Sequence, residues 1–350
     1  MRDAAERLER WAGGHRREFC LLLFVAGLAL RTLAAALISR STGLALSELA
    51  LTFDGHVYLL IARSAPRLYD GIHLFFPAFR DSSYFTGWFP LYPVSIALAA
   101  PFFGWTSAAL LVPRLAGAAC APLFFLLAAR HGRRPALAAA LFCVFPGTWL
   151  LTGSLAFVEP LYLLCVLGAL LALSRERRAA AAWLCAGAAL AQKTGVLLAP
   201  IALAAWGARP LKRVLPALGA LAGLAALLAW HGLVFGDPMI GARVQFDIFG
   251  GSAFAFPFSS VTRGLLARTD VIGGSMLLRK LAVVLSLAFY GVALIWAFRE
   301  RAKSDRLALA WRCVVFFFHI AIGFFLLGWL AYHAAPALFP VRLALREASP

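Results

Sequence analysis

The sequence predicts an all-α polytopic membrane protein, and three observations carry this prediction. Of the 350 residues, 62% are hydrophobic and only 14% are charged, which is too apolar a balance for a soluble chain of this length. Several apolar runs approach the roughly 20 residues that a helix needs to cross a bilayer. The net charge of +17 is scattered in short clusters between these runs, a distribution that argues against a nucleic-acid partner.

The apolar runs predict about nine transmembrane helices. Residues 1 to 18 are expected to form a basic amphipathic amino-terminal segment on the cytoplasmic side. Residues 19 to 350 are expected to form a single transmembrane domain. The first run lacks a small-residue cleavage site, so we expect it to be retained as a helix. The candidate spans are Phe19 to Ile38, Ser107 to Arg130, Ala136 to Leu151, Val158 to Leu173, Ala179 to Leu190, Val196 to Gly207, Val214 to Val234, Leu281 to Phe298 and Trp311 to Tyr332.

The basic clusters between the spans predict the orientation of the chain. Under the positive-inside rule, the amino terminus and the clusters at 130–134, 175–178, 209–213 and 299–306 all come out cytoplasmic. This holds only if the segment from Pro90 to Trp105 does not cross the membrane. Its prolines allow it to be a broken interfacial or re-entrant element.

The opposite loops then face away from the cytoplasm, and they hold the unusual residues. These loops are 44–105, which we expect to contain juxtamembrane helices, 145–160, 192–195 and 235–279. They carry three acids in distinctive contexts, namely Asp54, Glu159 and Asp237. An acid beside a membrane scaffold is costly to keep, so the polar and aromatic stretch around Asp54 is a candidate functional site.

Lys193 lies in the turn between the two shortest spans, next to Gln192. A lysine at this depth can meet a lipid phosphate. The alternative is a lysine that only extends its ammonium group to the interface. Asp237 also has two interpretations, because the aspartate of a Gly-Asp-Pro turn commonly bonds its own backbone.

Five motifs, all in the loops expected outside or in the segments beside them, resemble one known family. Phe53-Asp54-Gly55, Trp88-Phe89-Pro90-Leu91-Tyr92-Pro93, Phe145-Pro146 with Glu159-Pro160-Leu161, Gln192-Lys193-Thr194-Gly195, and Phe235-Gly236-Asp237-Pro238 with Gln245 follow the order of the PIG-V-like mannosyltransferases. That family belongs to the GT-C superfamily of polyprenyl-phosphate-sugar-dependent glycosyltransferases. Phe53, Lys193 and Pro160 depart from its pattern, where tryptophan, arginine and serine stand.

The resemblance implies a bacterial GT-C helical bundle in the inner membrane with an extracytoplasmic site. It implies transfer of a sugar, mannose by analogy, from a polyprenyl phosphate to the hydroxyl of an unknown glycan or lipid acceptor, with inversion. Such a transfer needs a base near the acceptor and positive charge on the leaving phosphate. On this basis Asp54 is the expected base.

The remaining site residues receive roles from the same resemblance. For the donor phosphate or sugar we expect Lys193, Gln192, Glu159, Arg243 and Arg263, with Arg268 as a further helper. For the acceptor or the loops we expect His56, Tyr58, Tyr92, Asp237 and Gln245. No cofactor is expected. His56 with Asp54 could ligate a divalent metal, and His73, Asp70 and Asp81 lie in the same loop, but no fixed ligand spacing favours a metal.

Two other classes of function stay open. A transporter or lipid flippase would usually show two related halves and charges in the middle of its spans, and the sequence offers only Arg31 and Arg114 for the latter. A noncatalytic protein that binds a lipid-linked sugar is the other alternative. Membrane lipids are expected partners in every case.

Overall fold

The structure is a computed structural model that describes residues 2–52, 54–64, 82–131, 134–144, 147–204 and 211–248. These residues belong to one structural unit and form helices without any strand, which confirms the all-α prediction for this part of the chain. The predicted spans at 281–298 and 311–332 lie outside the described residues. The total of nine spans therefore stays a prediction.

Twelve α-helices and three short 3-10 helices make up the described chain. The α-helices are α1 (Arg2–Gly14), α2 (Arg16–Thr42), α3 (Gly55–Arg63), α4 (Leu91–Phe103), α5 (Trp105–His131), α6 (Pro135–Val144), α7 (Gly147–Thr152), α8 (Glu159–Ser174), α9 (Arg178–Ala191), α10 (Leu198–Ala204), α11 (Leu211–Phe235) and α12 (Ile240–Ile248). The 3-10 helices are Glu48–Leu51, Ser82–Gly87 and Lys193–Leu197.

Three of these helices, α2, α5 and α11, are long and apolar enough to cross a membrane. The 27 residues of α2 give a rod about 40 Å long, which exceeds the roughly 30 Å of a hydrocarbon core. The predicted span Ala136 to Leu151 corresponds to two shorter helices, α6 and α7. The 14 residues of α9 reach only about 21 Å, and this helix is therefore short for a single crossing.

Helices α2 and α5 run antiparallel. The ring of Phe19 near the start of α2 lies 4.8 Å from that of Phe125 near the end of α5. Further along, a Cβ on Gly27 would lie 3.4 Å from the Cα of Ala118. Helix α2 thus ends on the side of the bundle where α5 begins, and residues 43–104 connect the two helices.

Helix α4 fills part of that connection. After its 13 residues the chain changes direction at Gly104 and enters α5. The φ of Gly104 is 78°, a value that glycine adopts without strain. The hydroxyl of Tyr92 donates to the carbonyl oxygen of Ala109 at 2.5 Å, which ties the start of α4 to the second turn of α5. At about 20 Å, α4 alone is too short to span the core.

Helices α5 and α8 run parallel, since their contacts keep a nearly constant offset in sequence. Arg114 donates to the carbonyl of Ser154 just ahead of α8, and the Cys120 thiol contacts the Pro160 carbonyl at 3.7 Å. At the far end, Arg130 donates to the carbonyl of Ser174 at 2.5 Å. Glu159 and Ser174 therefore mark opposite ends of the bundle.

The next helices continue the alternation. Helix α9 runs antiparallel to α8, because Gly168 packs on Leu184 while Cys165 packs on Gly187. Helix α11 runs parallel to α9 at very close range, and a Cβ on Gly219 would lie only 2.2 Å from the carbonyl oxygen of Ala182. Small residues allow this approach, as they do in many membrane helix pairs.

These directions give the bundle two chemically different ends. What we call the arginine end consists of α1, the start of α2, the end of α5, the α8–α9 turn and the start of α11. What we call the carboxylate end consists of Asp54 with α3, the residues from Trp88 to Tyr92, Glu159, the Gln192–Thr194 turn and Asp237. The basic segments and the motif residues are thus separated by the length of the bundle.

Candidate functional site

Asp54 immediately precedes α3 at the carboxylate end. Its backbone carbonyl accepts the N–H of Tyr58 at 3.0 Å, while its side chain makes no capping hydrogen bond to the helix. The indole N–H of Trp88 instead donates to the carboxylate, and His56 lies close enough to interact with its charge. The hydrogen bond to the carboxylate therefore comes from outside α3, and the helix itself is not capped by it.

The surroundings of Asp54 raise its pKa above the ordinary value of an aspartate. Removal of the carboxylate from water is the largest cause, and the Trp88 hydrogen bond and the nearby His56 act in the opposite direction. A carboxylate with a raised pKa binds a proton more readily than a solvated one. This is the property that a general base requires.

Gly55 brings Asp54 against a second segment of the chain. A Cβ on residue 55 would lie 2.3 Å from the carbonyl oxygen of Ala50 and 2.8 Å from the Cβ of Ala156. Residues 152–158 form a completely buried turn that leads directly into α8. This contact places the beginning of α3 beside the beginning of α8.

Glu159 is the first residue of α8. A carboxylate is favoured there by the partial positive charge of the helix amino terminus. Its Oε2 is buried and has no hydrogen-bond partner among the described side chains and backbone. Its charge interacts with that of Asp54 and with the Tyr92 hydroxyl. The two carboxylates, one from the first loop and one from a later loop, are therefore close enough for their charges to interact.

Two tyrosines line the same region. The rings of Tyr58 and Tyr92 meet edge to face with centroids 4.9 Å apart, and both residues are buried. Beside them, Val57, Ile61 and Phe85 form a small apolar cluster against which Trp88 packs. Aromatic packing thus fixes the position of the indole that contacts Asp54.

Two arginines from different helices hold the buried turn ahead of Glu159. Arg114 donates through Nε and Nη2 to the carbonyl of Ser154, both at 3.3 Å. Arg31 is fully buried and lies against Gly153, whose Cβ, if present, would be 2.3 Å from the Arg31 Nε. The Arg31 guanidinium also stacks on Trp149, 4.9 Å from the ring centroid, and donates to the Gly27 carbonyl at 2.9 Å.

The Gln192–Thr194 turn is connected to the site by a contact with α8. The side chain of Thr194 hydrogen-bonds the Tyr162 hydroxyl, one helical turn after Glu159. The Thr194 hydroxyl also lies 3.4 Å from the amide oxygen of Gln192. Lys193 between them is exposed. The turn thus presents a cation at the carboxylate end while its neighbours anchor it.

Asp237 and Arg243 form an ion pair with each other. Asp237 also accepts the N–H of Met239 at 3.0 Å, the backbone bond of an aspartate turn. Arg243 is thereby committed to a local partner at the start of α12. Gln245 lies in α12, but the structure does not describe its side chain. Arg263 and Arg268 lie outside the described residues.

The described part of the site holds no group of three histidine, cysteine or carboxylate side chains that could bind a metal ion. Asp70, His73 and Asp81 of the first loop lie outside the described residues. What the described side chains offer is a pair of neighbouring carboxylates, an indole donor, tyrosine hydroxyls and one exposed ammonium group. This set suits proton transfer from a hydroxyl and recognition of a polar ligand.

Several residues of the site were not selected as site residues from the sequence. Trp88 stands in a recognised motif, but only the structure shows its hydrogen bond to Asp54. Arg114 and Arg31 appear in the sequence only as charges within apolar runs, which marks them as unusual without giving their partners. Gly153 and Ser154 carry no signal in a single sequence.

Comparison of the chain with protein-family models, with curated proteins and with solved structures found no match.

Proposed function

We propose that this chain is a membrane glycosyltransferase of the GT-C type, similar to the PIG-V-like mannosyltransferases, with Asp54 as its general base. The observation that supports this most is the environment of Asp54. Trp88 hydrogen-bonds its carboxylate, Glu159 is close enough to interact with its charge, and burial raises the pKa of Asp54. A base that is poised above the ordinary aspartate pKa can take a proton from an alcohol as the new bond forms.

In the proposed reaction, the acceptor oxygen attacks the anomeric carbon of a sugar carried on a polyprenyl phosphate. Its proton passes to the Asp54 carboxylate. The bond between the anomeric carbon and the phosphate oxygen breaks, and the polyprenyl phosphate leaves with the electron pair. Attack opposite the leaving group inverts the anomeric carbon.

Lys193 is the proposed partner of the leaving phosphate, because it is an exposed cation at the same end of the bundle as Asp54. Gln192 and Glu159 are proposed to bind the sugar hydroxyls, and His56, Tyr58 and Tyr92 to position the acceptor. Arg243 and Asp237 are better suited to hold the loop after α11, since they neutralise each other.

The sidedness is part of the proposal. The arginine end would face the cytoplasm of a bacterial inner membrane, and the carboxylate end would face outward. A polyprenyl-phosphate mannose is the first donor to test. The identity of the acceptor is left to the assay.

The test is transfer of labelled sugar from polyprenyl phosphate by the purified full chain in lipid nanodiscs. Asp54→Asn should abolish the transfer, because an amide cannot accept the proton, while Asp54→Glu should retain a fraction of it. Asp3→Asn is the matched control, since Asp3 is an exposed acid at the arginine end and should leave the rate unchanged. Equal turnover by Asp54→Asn and the wild type would refute the assignment of the base.

A further inference from the structure

The arginine end carries an excess of exposed positive charge. In the described chain it presents eight exposed arginines and four exposed acids. The arginines come from four places: α1, the start of α2, the α5–α6 connection and the α8–α9 turn. They include Arg7, Arg10, Arg16, Arg17, Arg130 and Arg175.

Helix α1 is fixed at this end by Glu9. The two carboxylate oxygens of Glu9 accept the backbone N–H groups of Ala136 and Leu137, each at 3.0 Å. These are orphan donors at the first turn of α6, so Glu9 acts as a capping group supplied by another helix. Ala12 on the same face of α1 is buried in the core that α2, α5 and α6 share.

This attachment decides which face of α1 is free. Ala5, Leu8, Glu9 and Ala12 lie on the packed stripe, and Arg7 and Arg10 point away from it. Trp11 is 41% exposed, stacks on His15 with ring centroids 5.8 Å apart and touches Phe19 edge to face. Tryptophan flanked by arginines is the composition typical of a helix at the headgroup level.

The apolar surface begins directly below these charges. Leu21, Leu22 and Val25 on the first turns of α2 are more than half exposed, as expected of side chains that face acyl chains. In a bilayer that covers this apolar surface, the arginines above it would lie at the depth of lipid phosphates. The guanidinium group can grip two phosphate oxygens at once, so it suits this partner.

We propose that the arginine end is a binding surface for anionic phospholipids of the surrounding bilayer, with α1 as its rigid part. The partner is the headgroup of an anionic lipid such as phosphatidylglycerol. This surface lies at the opposite end of the bundle from Asp54, and its function does not depend on the proposed transferase activity.

The first experiment compares two double variants of equal charge change. The full chain is delipidated and titrated with phosphatidylglycerol or phosphatidylcholine, and bound lipids are counted by native mass spectrometry. Each arginine near a membrane surface raises the binding constant for anionic lipid about fivefold. Arg10→Gln with Arg17→Gln should therefore weaken phosphatidylglycerol binding about 10- to 30-fold. Arg40→Gln with Arg63→Gln, exposed arginines at the carboxylate end, should leave it within about twofold. Equal losses in the two double variants, or no preference of the wild type for phosphatidylglycerol, would overturn the proposal.

The second experiment separates a fixed surface from simple charge attraction. Glu9→Ala removes a negative charge, so net charge alone predicts tighter binding of the anionic lipid. If α1 must be fixed to present its arginines, Glu9→Ala weakens the binding instead, and this is the result we expect. Asp3→Ala is the control, because it removes an exposed charge from α1 without touching α6, and it should not weaken binding. Tighter binding by both variants would refute the role of α1.

Discussion

Arg31 and Gly153 lie so close together that a Cβ on residue 153 would come within 2.3 Å of the Arg31 Nε. Gly117 approaches the same atom from α5, where a Cβ would lie at 2.5 Å. The buried guanidinium therefore occupies a space that exists because glycines stand around it. This packing fixes the turn that leads to Glu159.

Replacement of this glycine should disturb the fold. Gly153→Ala places a methyl group where the Arg31 side chain lies, and such overpacking costs about 1 to 3 kcal/mol. We expect a lower thermal midpoint of the purified protein, measured by tryptophan fluorescence. Gly13→Ala is the control, since nothing lies within 4 Å of that position in α1. An unchanged midpoint for Gly153→Ala would show that Arg31 can move aside at little cost.

The charge of Arg31 should matter less than its volume. Nη1 donates to the Gly27 carbonyl, but Nε and Nη2 have no hydrogen-bond partner within the described part of the chain, and buried donors without partners are unfavourable. Arg31→Met keeps an unbranched chain of similar length, so its free energy of unfolding should equal or exceed that of the wild type. Arg31→Ala leaves a cavity and should lose about 2 to 5 kcal/mol. A loss of the same size in both variants would mean that the guanidinium has an anionic partner.

Trp88 should control the pH dependence of the proposed transfer reaction. Its indole N–H stabilises the ionised carboxylate and so lowers the pKa of Asp54. In Trp88→Phe that pKa rises further, and the acid limb of the rate profile moves to higher pH. The loss of activity should therefore be largest on the acid limb of the profile and small on its alkaline plateau. Trp183→Phe, at a residue 80% exposed on α9, is the control and should leave the profile in place. An equal loss at every pH would assign Trp88 a purely structural role.

Asp54 should also make stability depend on pH. Because its pKa in the folded chain is raised above the ordinary 3.8, the folded state binds the proton more tightly than the unfolded state does. Stability from this group is complete below pH 3.8 and is lost as the pH rises through the raised pKa. Asp54→Asn has no such loss, so it should be more stable than the wild type at pH 7.5 and nearly equal to it near pH 3.5. Chemical unfolding at both pH values measures this, and a destabilised Asp54→Asn at pH 7.5 would contradict the expected sign.

Several of the longer helices of the described chain could be predicted from the sequence because apolar run length is a local property. The predicted span Val158 to Leu173 is α8, Glu159–Ser174, within one residue at each end. The predicted span Ala136 to Leu151 is two helices, since run length alone does not show where a helix ends. The bounds of helices depend on capping and packing partners that other segments supply.

The site could be predicted only in part. The cost of an acid near a membrane marked Asp54 and Glu159 one at a time, yet no spacing shows that they are neighbours. Their proximity depends on the contact of Gly55 with Ala156, which belongs to tertiary packing. The pairing of Arg243 with Asp237 could not be predicted either, because a single sequence shows two opposite charges and not which partner each one takes.

The attachment of α1 by Glu9 has a consequence for the order of events during synthesis. The hydrogen bonds from Ala136 and Leu137 join residues 127 and 128 positions away from Glu9. At about 5 to 20 residues per second, a ribosome needs about 6 to 25 seconds to make the intervening chain. During this interval the first turn of α6, which Glu9 caps, has not yet been made. The first helix made can therefore be fixed only after the start of α6 has been made.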